Sequence, residues 1–271
     1  MNTLKIKSSG IVFTVFLLVF SLLSGILFSG CSLFQKKYEK VEKKEITVST
    51  VNKKKVVLDN TSGNIKITKN IVDSVLRIKA EATLHLTKKE MNEGKERIKI
   101  SVDSVDGVIN IKSDYVKEKR FFNFRIDFNS EINYELSVPE GIEVSIDNTN
   151  GKTEVSEINN KVDVNLTNGN VKLIHTTGIV SVDVTNGKIT GDLDSTKGLN
   201  LKTTNGSVNL TLSETFSGKF RMETVNGKIT KKDFDFKNVD DEKKYFKGTL
   251  GNSEVEVKIE TTNGKITLTK K

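Results

Sequence analysis

One phrase recurs along the chain: apolar-x-apolar-x-x-Thr-Asn-Gly-x-apolar. It is read at 144–153 (VSIDNTNGKT), 162–171 (VDVNLTNGNV), 180–189 (VSVDVTNGKI), 199–208 (LNLKTTNGSV), 220–229 (FRMETVNGKI) and 257–266 (VKIETTNGKI). A weaker copy, VVLDNTSGNI, occupies 56–65. Before each glycine, apolar and polar residues alternate with the period of a strand. Val162 and Val164 point one way and Asp163 the other; Val180 and Val182 repeat this, with Ser181 opposite. After the glycine the alternation resumes in a shifted phase, as at Val171 and Leu173 or Ile266 and Leu268. Two short strands joined by a corner need such a shift if both are to face one interior.

The corners fall at Asn150-Gly151, Asn168-Gly169, Asn186-Gly187, Asn205-Gly206, Asn226-Gly227 and Asn263-Gly264. Asn-Gly suits a bend because both residues tolerate positive φ. The glycines are spaced 18, 18, 19, 21 and 37 residues apart, and the last gap suggests a degenerate repeat in between. Asn-Gly also signals an antiparallel hairpin. The near-constant period favours an all-β parallel solenoid, or β-helix, with rungs of about 18–21 residues. Stacking would align Asn150, Asn168, Asn186, Asn205 and Asn226 as a hydrogen-bonded ladder.

Residues 70–138 break the period and read as an irregular, β-rich middle segment inside a 46–271 domain. Leu76, Ile78 and Ala80, then Ile98, Ile100 and Val102, have the strand pattern, and a short helix is allowed at 86–98. Phe122, Phe124, Ile126 and Phe128 alternate with Asn123, Arg125 and Asp127, which fits a core strand better than an aromatic sugar-binding stripe. End rungs need caps; the middle segment and the break at Pro139 are candidates. Residues 230–247 read as an unstacked, charged insert.

The N-terminus has a different pattern. Lys5 and Lys7 precede an uncharged apolar run at 11–28, followed by Ser29, Gly30 and Cys31. A positive start, an apolar run and small exit residues make an export signal over 1–30. Leu27-Phe28-Ser29-Gly30-Cys31 resembles the bacterial lipobox, which implies cleavage before Cys31, a diacylglyceryl thioether on its sulfur and an extracytoplasmic protein held to the membrane by lipid. An uncleaved signal anchor is the alternative, since 18 apolar residues just span a bilayer. Residues 31–45 read as a flexible, lysine-rich tether.

Cys31 is the sole cysteine, so no intrachain disulfide or cysteine-rich metal site forms. The net charge of +8 permits a polyanionic partner, a wall polymer or lipid headgroups. Dispersed lysines paired with acids, and export, argue against nucleic acid. Four residues before each corner glycine stand Asp147, Asn165, Asp183, Lys202, Glu223 and Glu260; one residue after stand Lys152, Asn170, Lys188, Ser207, Lys228 and Lys265. Every copy with an acid before has lysine after, which suggests charge compensation across the corner. His85 and His175 have no cysteine or carboxylate at metal-ligand spacing, and no nucleophile elbow, zinc-protease motif or phosphate loop occurs. No catalytic residue, metal or cofactor is expected.

The repeats, VPEGIEVSIDNTNG (138–151) and GTLGNSEVEVKIETTNGKITL (248–268) together resemble the bacterial adhesin-domain family of the DUF4097 type, over about residues 46–271. That resemblance implies a β-solenoid surface domain and supplies no activity. The resulting expectation is a non-catalytic binding, adhesion or structural module of the cell envelope, with a polysaccharide or protein partner. The alternatives are a signalling or envelope-stress accessory acting through a membrane partner, and a polysaccharide-active enzyme. A cleft with three or more converging ionisable groups would mark the last.

Overall fold

The computed structural model describes residues 37–88, 92, 98–115 and 130–271. Two units are distinguished: Met1–Tyr38 with Leu86–Gly94, of which few residues are described, and Glu39–His85 with Lys95–Lys271. The second unit carries the repeats. The leader 1–30, Cys31 and the alternating stretch 122–128 lie outside the described residues; of 86–98, where a short helix was allowed, only 86–88, 92 and 98 are described, and Leu86, Thr87 and Ile98 are strand.

Each repeat is a strand, a glycine corner and a second strand. The pairs are β2 (Lys55–Ser62) and β3 (Ile65–Asn70), β8 (Glu143–Asn150) and β9 (Thr153–Ser156), β10 (Val162–Asn168) and β11 (Val171–Ile174), and β12 (Ile179–Asn186) and β13 (Ile189–Leu193). They continue with β14 (Gly198–Asn205) and β15 (Val208–Leu212), β16 (Gly218–Thr224) and β17 (Ile229–Lys232), and β20 (Glu256–Asn263) and β21 (Ile266–Lys270). First strands enter an 11-stranded sheet and second strands a 10-stranded one. Neighbouring rungs pair in parallel with equivalent residues in register, as Val162 with Val180 and Val180 with Leu199. The solenoid expected from the period is therefore present.

Register stacks like on like. One inner row passes from Leu58 through Ile146, Val164, Val182 and Leu201 to Ile259 and Met222, all within 1% of full burial. Each such side chain contributes about 1.5–3 kcal/mol. Alternation thus selects the strand, and burial of its apolar phase holds the rungs together.

The order of the rungs is not the order of the chain. β20 lies between β14 and β16, and β21 between β15 and β17. The degenerate repeat expected between Gly227 and Gly264 does not exist. In its place, β18 (Phe236–Asp241) and β19 (Tyr245–Leu250) form an antiparallel hairpin on β16. The insert 230–247 is thus largely ordered strand. It supplies aromatic surface: Phe220 meets Phe236 with ring centroids 5.2 Å apart, and Phe236 meets Phe246 at 4.9 Å. The hairpin covers the edge of β16, which would otherwise offer unpaired backbone groups.

The opposite end is closed by the middle segment, which is more regular than its broken period suggests. β6 (Val108–Tyr115) pairs in parallel with β2, and β7 (Glu131–Pro139) in parallel with β3. They add a further layer. β5 (Ile98–Val105) and β4 (Val75–Thr87) then run antiparallel on β6 and β7. The β5–β6 turn uses Asp106 and Gly107, both at positive φ, a hairpin geometry invisible to a repeat search. Pro139 ends β7 and caps nothing. β1 (Lys37–Ser49) adds the last strand, next to β4, so residues 37–45 are strand where a flexible tether was expected. Its charges suit a sheet edge, and Lys43 and Glu45 reach Glu81 and Lys79 at 2.8 and 3.9 Å.

The β3–β4 turn is held by Asn70, whose side-chain amide donates to the Val75 carbonyl and to Asp73 Oδ1, both at 2.8 Å. The Arg77 guanidinium, bonded to the same carboxylate, and then Asn70 hold the Asp73 carboxyl down to about 2. A depressed carboxylate stabilises the fold above its ordinary range near 3.8, and that stabilisation is lost as pH falls through the folded value. We expect the Asp73 carboxyl carbon to titrate near pH 2 by NMR, and Arg77→Gln to return it toward the ordinary range. A midpoint near 4 in the unaltered protein would refute the pairing.

Candidate functional site

The corners are built by three columns. The asparagine column is real, but its order differs from the expected one because Asn263 enters between Asn205 and Asn226. Asn168 Nδ2 donates to Asn150 Oδ1 at 3.0 Å, Asn186 to Asn168 at 2.9 Å and Asn205 to Asn186 at 2.9 Å. Asn263 donates to Asn205 at 2.8 Å and Asn226 to Asn263 at 2.9 Å. None of these asparagines has positive φ. The glycines are required chiefly by close approach: a Cβ on Gly169 would lie 1.7 Å from the Gly151 carbonyl oxygen, and one on Gly227 1.7 Å from that of Gly264. Three residues before the glycine a third column, missed by the sequence reading, turns inward. Asn148, Thr203, Thr261 and Thr224 are buried and donate to the glycine carbonyls of Gly63, Gly187, Gly206 and Gly264 at 2.8–3.1 Å. Its signal was a polar residue in the apolar phase.

These columns hold the outward side chains of both sheets in straight rows, with strands about 4.8 Å apart. On the 10-stranded sheet one row reads Glu45, Lys79, Glu135, Lys66, Glu154, Lys172 on six neighbouring strands. Charge alternates strictly, and Lys172 reaches Glu154 at 3.7 Å. The 11-stranded sheet is different. One row there reads Asp59, Asp147, Asn165, Asp183, Lys202, Glu260, Glu223 on β2, β8, β10, β12, β14, β20 and β16, and the row beside it passes from Asp163 on β10 to Lys258, Arg221 and Lys247 on β20, β16 and β19. The compensation expected across each corner is absent: no acid of that column bonds to the lysine beyond its own glycine. Asp183 meets Lys202 on the next strand at 3.7 Å, and Asp147 accepts from Asn165 at 2.8 Å. Strand neighbours are closer than residues on opposite arms of a corner. Beyond the corner, Asn64 and Asn170 instead accept the backbone N–H of Lys152 and Lys188 at 2.9 Å.

His175 is not isolated. Asp192 and Asp194 come from the adjoining rung, where Ile174 pairs with Asp192. His175 Nδ1 lies 2.5 Å from Asp194 Oδ2, and Lys271 Nζ lies 2.5 and 2.8 Å from Asp192 and Asp194. Among the described residues this is the one trio of histidine and carboxylates with metal-ligand spacing. The Lys271 ammonium occupies the cation's place between the carboxylates. Lys271 first, then His175, lowers the Asp194 carboxyl below its ordinary range. All four groups are partly exposed on an open surface and satisfy one another. A carboxyl held low is a poor general acid or base near neutrality. His85 lies in β4.

The sequence profile of the Toastrack DUF4097 family matches residues 45–269. The chain belongs to the Toastrack DUF4097 family. No curated protein matches it. Among solved structures, a "putative cell adhesion protein" from Clostridium sporogenes is 19% identical, with a TM-score of 0.47, covering 86% of this chain and 100% of that one. A "putative adhesin" from Bacteroides fragilis is 13% identical, with a TM-score of 0.26 and coverage of 84% and 97%. A "putative lipid binding protein" from Parabacteroides distasonis is 11% identical, with a TM-score of 0.29 and coverage of 84% and 96%. Among the described residues of this Toastrack chain, no helix is long and apolar enough to cross a membrane.

Proposed function

We propose that this Toastrack chain is a non-catalytic binding or adhesion module of the cell envelope, exported and held to the membrane by lipid on Cys31. The observation that carries the binding role is the pair of outer faces, on which corner columns fix side chains in straight rows at strand spacing. Such a surface is ordered before a ligand arrives, so binding costs little additional ordering. The N-terminal run ending in Leu27-Phe28-Ser29-Gly30-Cys31 supports the anchor. The test uses the full chain in bacterial cells given labelled fatty acid, followed by extraction and incubation with isolated envelope material over a salt series. Label is expected in the wild type and absent from Cys31→Ala, with binding that weakens as salt rises. Label retained by the variant would refute the anchor; absence of envelope binding at every salt concentration would refute the module.

A further inference from the structure

The outer face of the 11-stranded sheet carries a defect in its charge pattern. Lys258, Arg221 and Lys247 lie side by side on β20, β16 and β19, with Arg221 in register with both neighbours. Three cations in line span roughly 10 Å at ordinary strand spacing. Like charges directly opposite are destabilising, and the six-strand row on the other sheet avoids them throughout. Carboxylates flank this row: Glu260 and Glu223 beyond Lys258 and Arg221, Glu256 two residues before Lys258, and Asp240 opposite Lys247 on β18. Glu260 reaches Lys258 at 2.8 Å and Glu223 reaches Arg221 at 3.9 Å, each from two residues further along the same strand. Lys247 has no carboxylate within ion-pair distance among the described residues.

The row lies in a groove of about 540 Å³, whose lining also includes Lys219, Glu256 and Asn238. Lys219 is paired with Glu254. Asn238, at positive φ, sits where the register of β18 against β19 shifts between Lys237 and Asp240. This concavity suits a single chain of anionic groups better than a flat bilayer. Arginine takes a phosphate through two parallel N–H bonds, and lysines add point charge on either side.

We propose that this groove binds successive phosphate groups of a linear phosphodiester polymer of the envelope. The assignment rests on the binding-module reading and names its ligand class. The groove holds the polymer by charge and by the arginine fork, with no covalent step.

The test measures binding of the full chain, in zwitterionic detergent, to long-chain inorganic polyphosphate. Lys258→Gln, Arg221→Gln and Lys247→Gln are combined in one variant. A matched control combines Lys66→Gln, Lys79→Gln and Lys172→Gln on the other sheet, removing the same charge. All six side chains face outward, and exposed pairs contribute little to stability, so thermal melts should show both variants folded. The groove variant is expected to lose about tenfold or more in affinity at low salt and to show a shallower salt dependence, with the control within about twofold. Equal losses in both, or none in the groove variant, would overturn the assignment. Tighter binding to phosphatidylglycerol–phosphatidylcholine vesicles than to polyphosphate would overturn it in favour of a membrane. If the groove variant still binds isolated envelope material as the wild type does, the groove fails and the module reading survives. Failure of the wild type on both materials would sink both.

Discussion

Deleting residues 256–271 is expected to unravel the C-terminal third of the array rather than shorten it by one rung. β20 and β21 sit between two other layers, pairing with β14 and β15 on one side and β16 and β17 on the other. Val257, Ile259, Ile266 and Leu268 are all buried, each contributing about 1.5–3 kcal/mol before ordering entropy is subtracted. Their loss uncovers apolar side chains above and below the gap. Phe220 cannot close it easily, because its ring is already packed against Phe216 and Phe236. Limited proteolysis should therefore cut between 213 and 255, and amide exchange should speed up in β14. Protected β14 amides together with one cooperative melt would show that β16 had moved down onto β14. The layers would then be interchangeable, contrary to the packing just described.

Gly206→Ala is expected to cost about 4 kcal/mol or more, in the range of exceptional single substitutions. A Cβ there would lie 1.8 Å from the Gly187 carbonyl oxygen. Separation to contact distance would pull apart the corner where Gly187 N bonds to Asn205 O at 2.9 Å and Gly206 N to Asn263 O at 3.0 Å. Gly206 is outside the left-handed region, so crowding alone is tested. Gly141→Ala is the control: φ is +82° and a Cβ meets nothing within 4 Å. Its cost is expected near 1 kcal/mol, from backbone conformation only. Denaturant melts compare the two. Equal losses would mean that the rungs tolerate separation and that the glycine column serves the turn conformation instead.

Much of the scaffold was legible from residue order. The alternation at Val162, Val164, Val171 and Leu173 identified strands, their inward faces and the corner between them, because period and phase are local properties. The asparagine column followed from the constant spacing. The charge pairs did not. Asp147 and Lys152 are five residues apart in the chain but stand on opposite arms of a corner, while Asn165, eighteen residues on, is a hydrogen-bonded neighbour. The same blindness hid the carboxylates around His175, which arrive from the next rung with Lys271 between them. It also hid the cation row, whose members come from two repeats and the insert between them.

By itself, the chain's order of residues determined the strands, the corners, the rung length and the parallel stacking of like on like. Tertiary structure decided which rung lies on which, and hence that the last repeat enters beneath β16 and that Lys258, Arg221 and Lys247 become neighbours. The reason is physical. The rungs offer nearly the same apolar rows, and six of the seven repeats share the corner asparagine, so local pattern does not distinguish one layer from another. Bulk at Phe220 and the antiparallel hairpin that packs on it do.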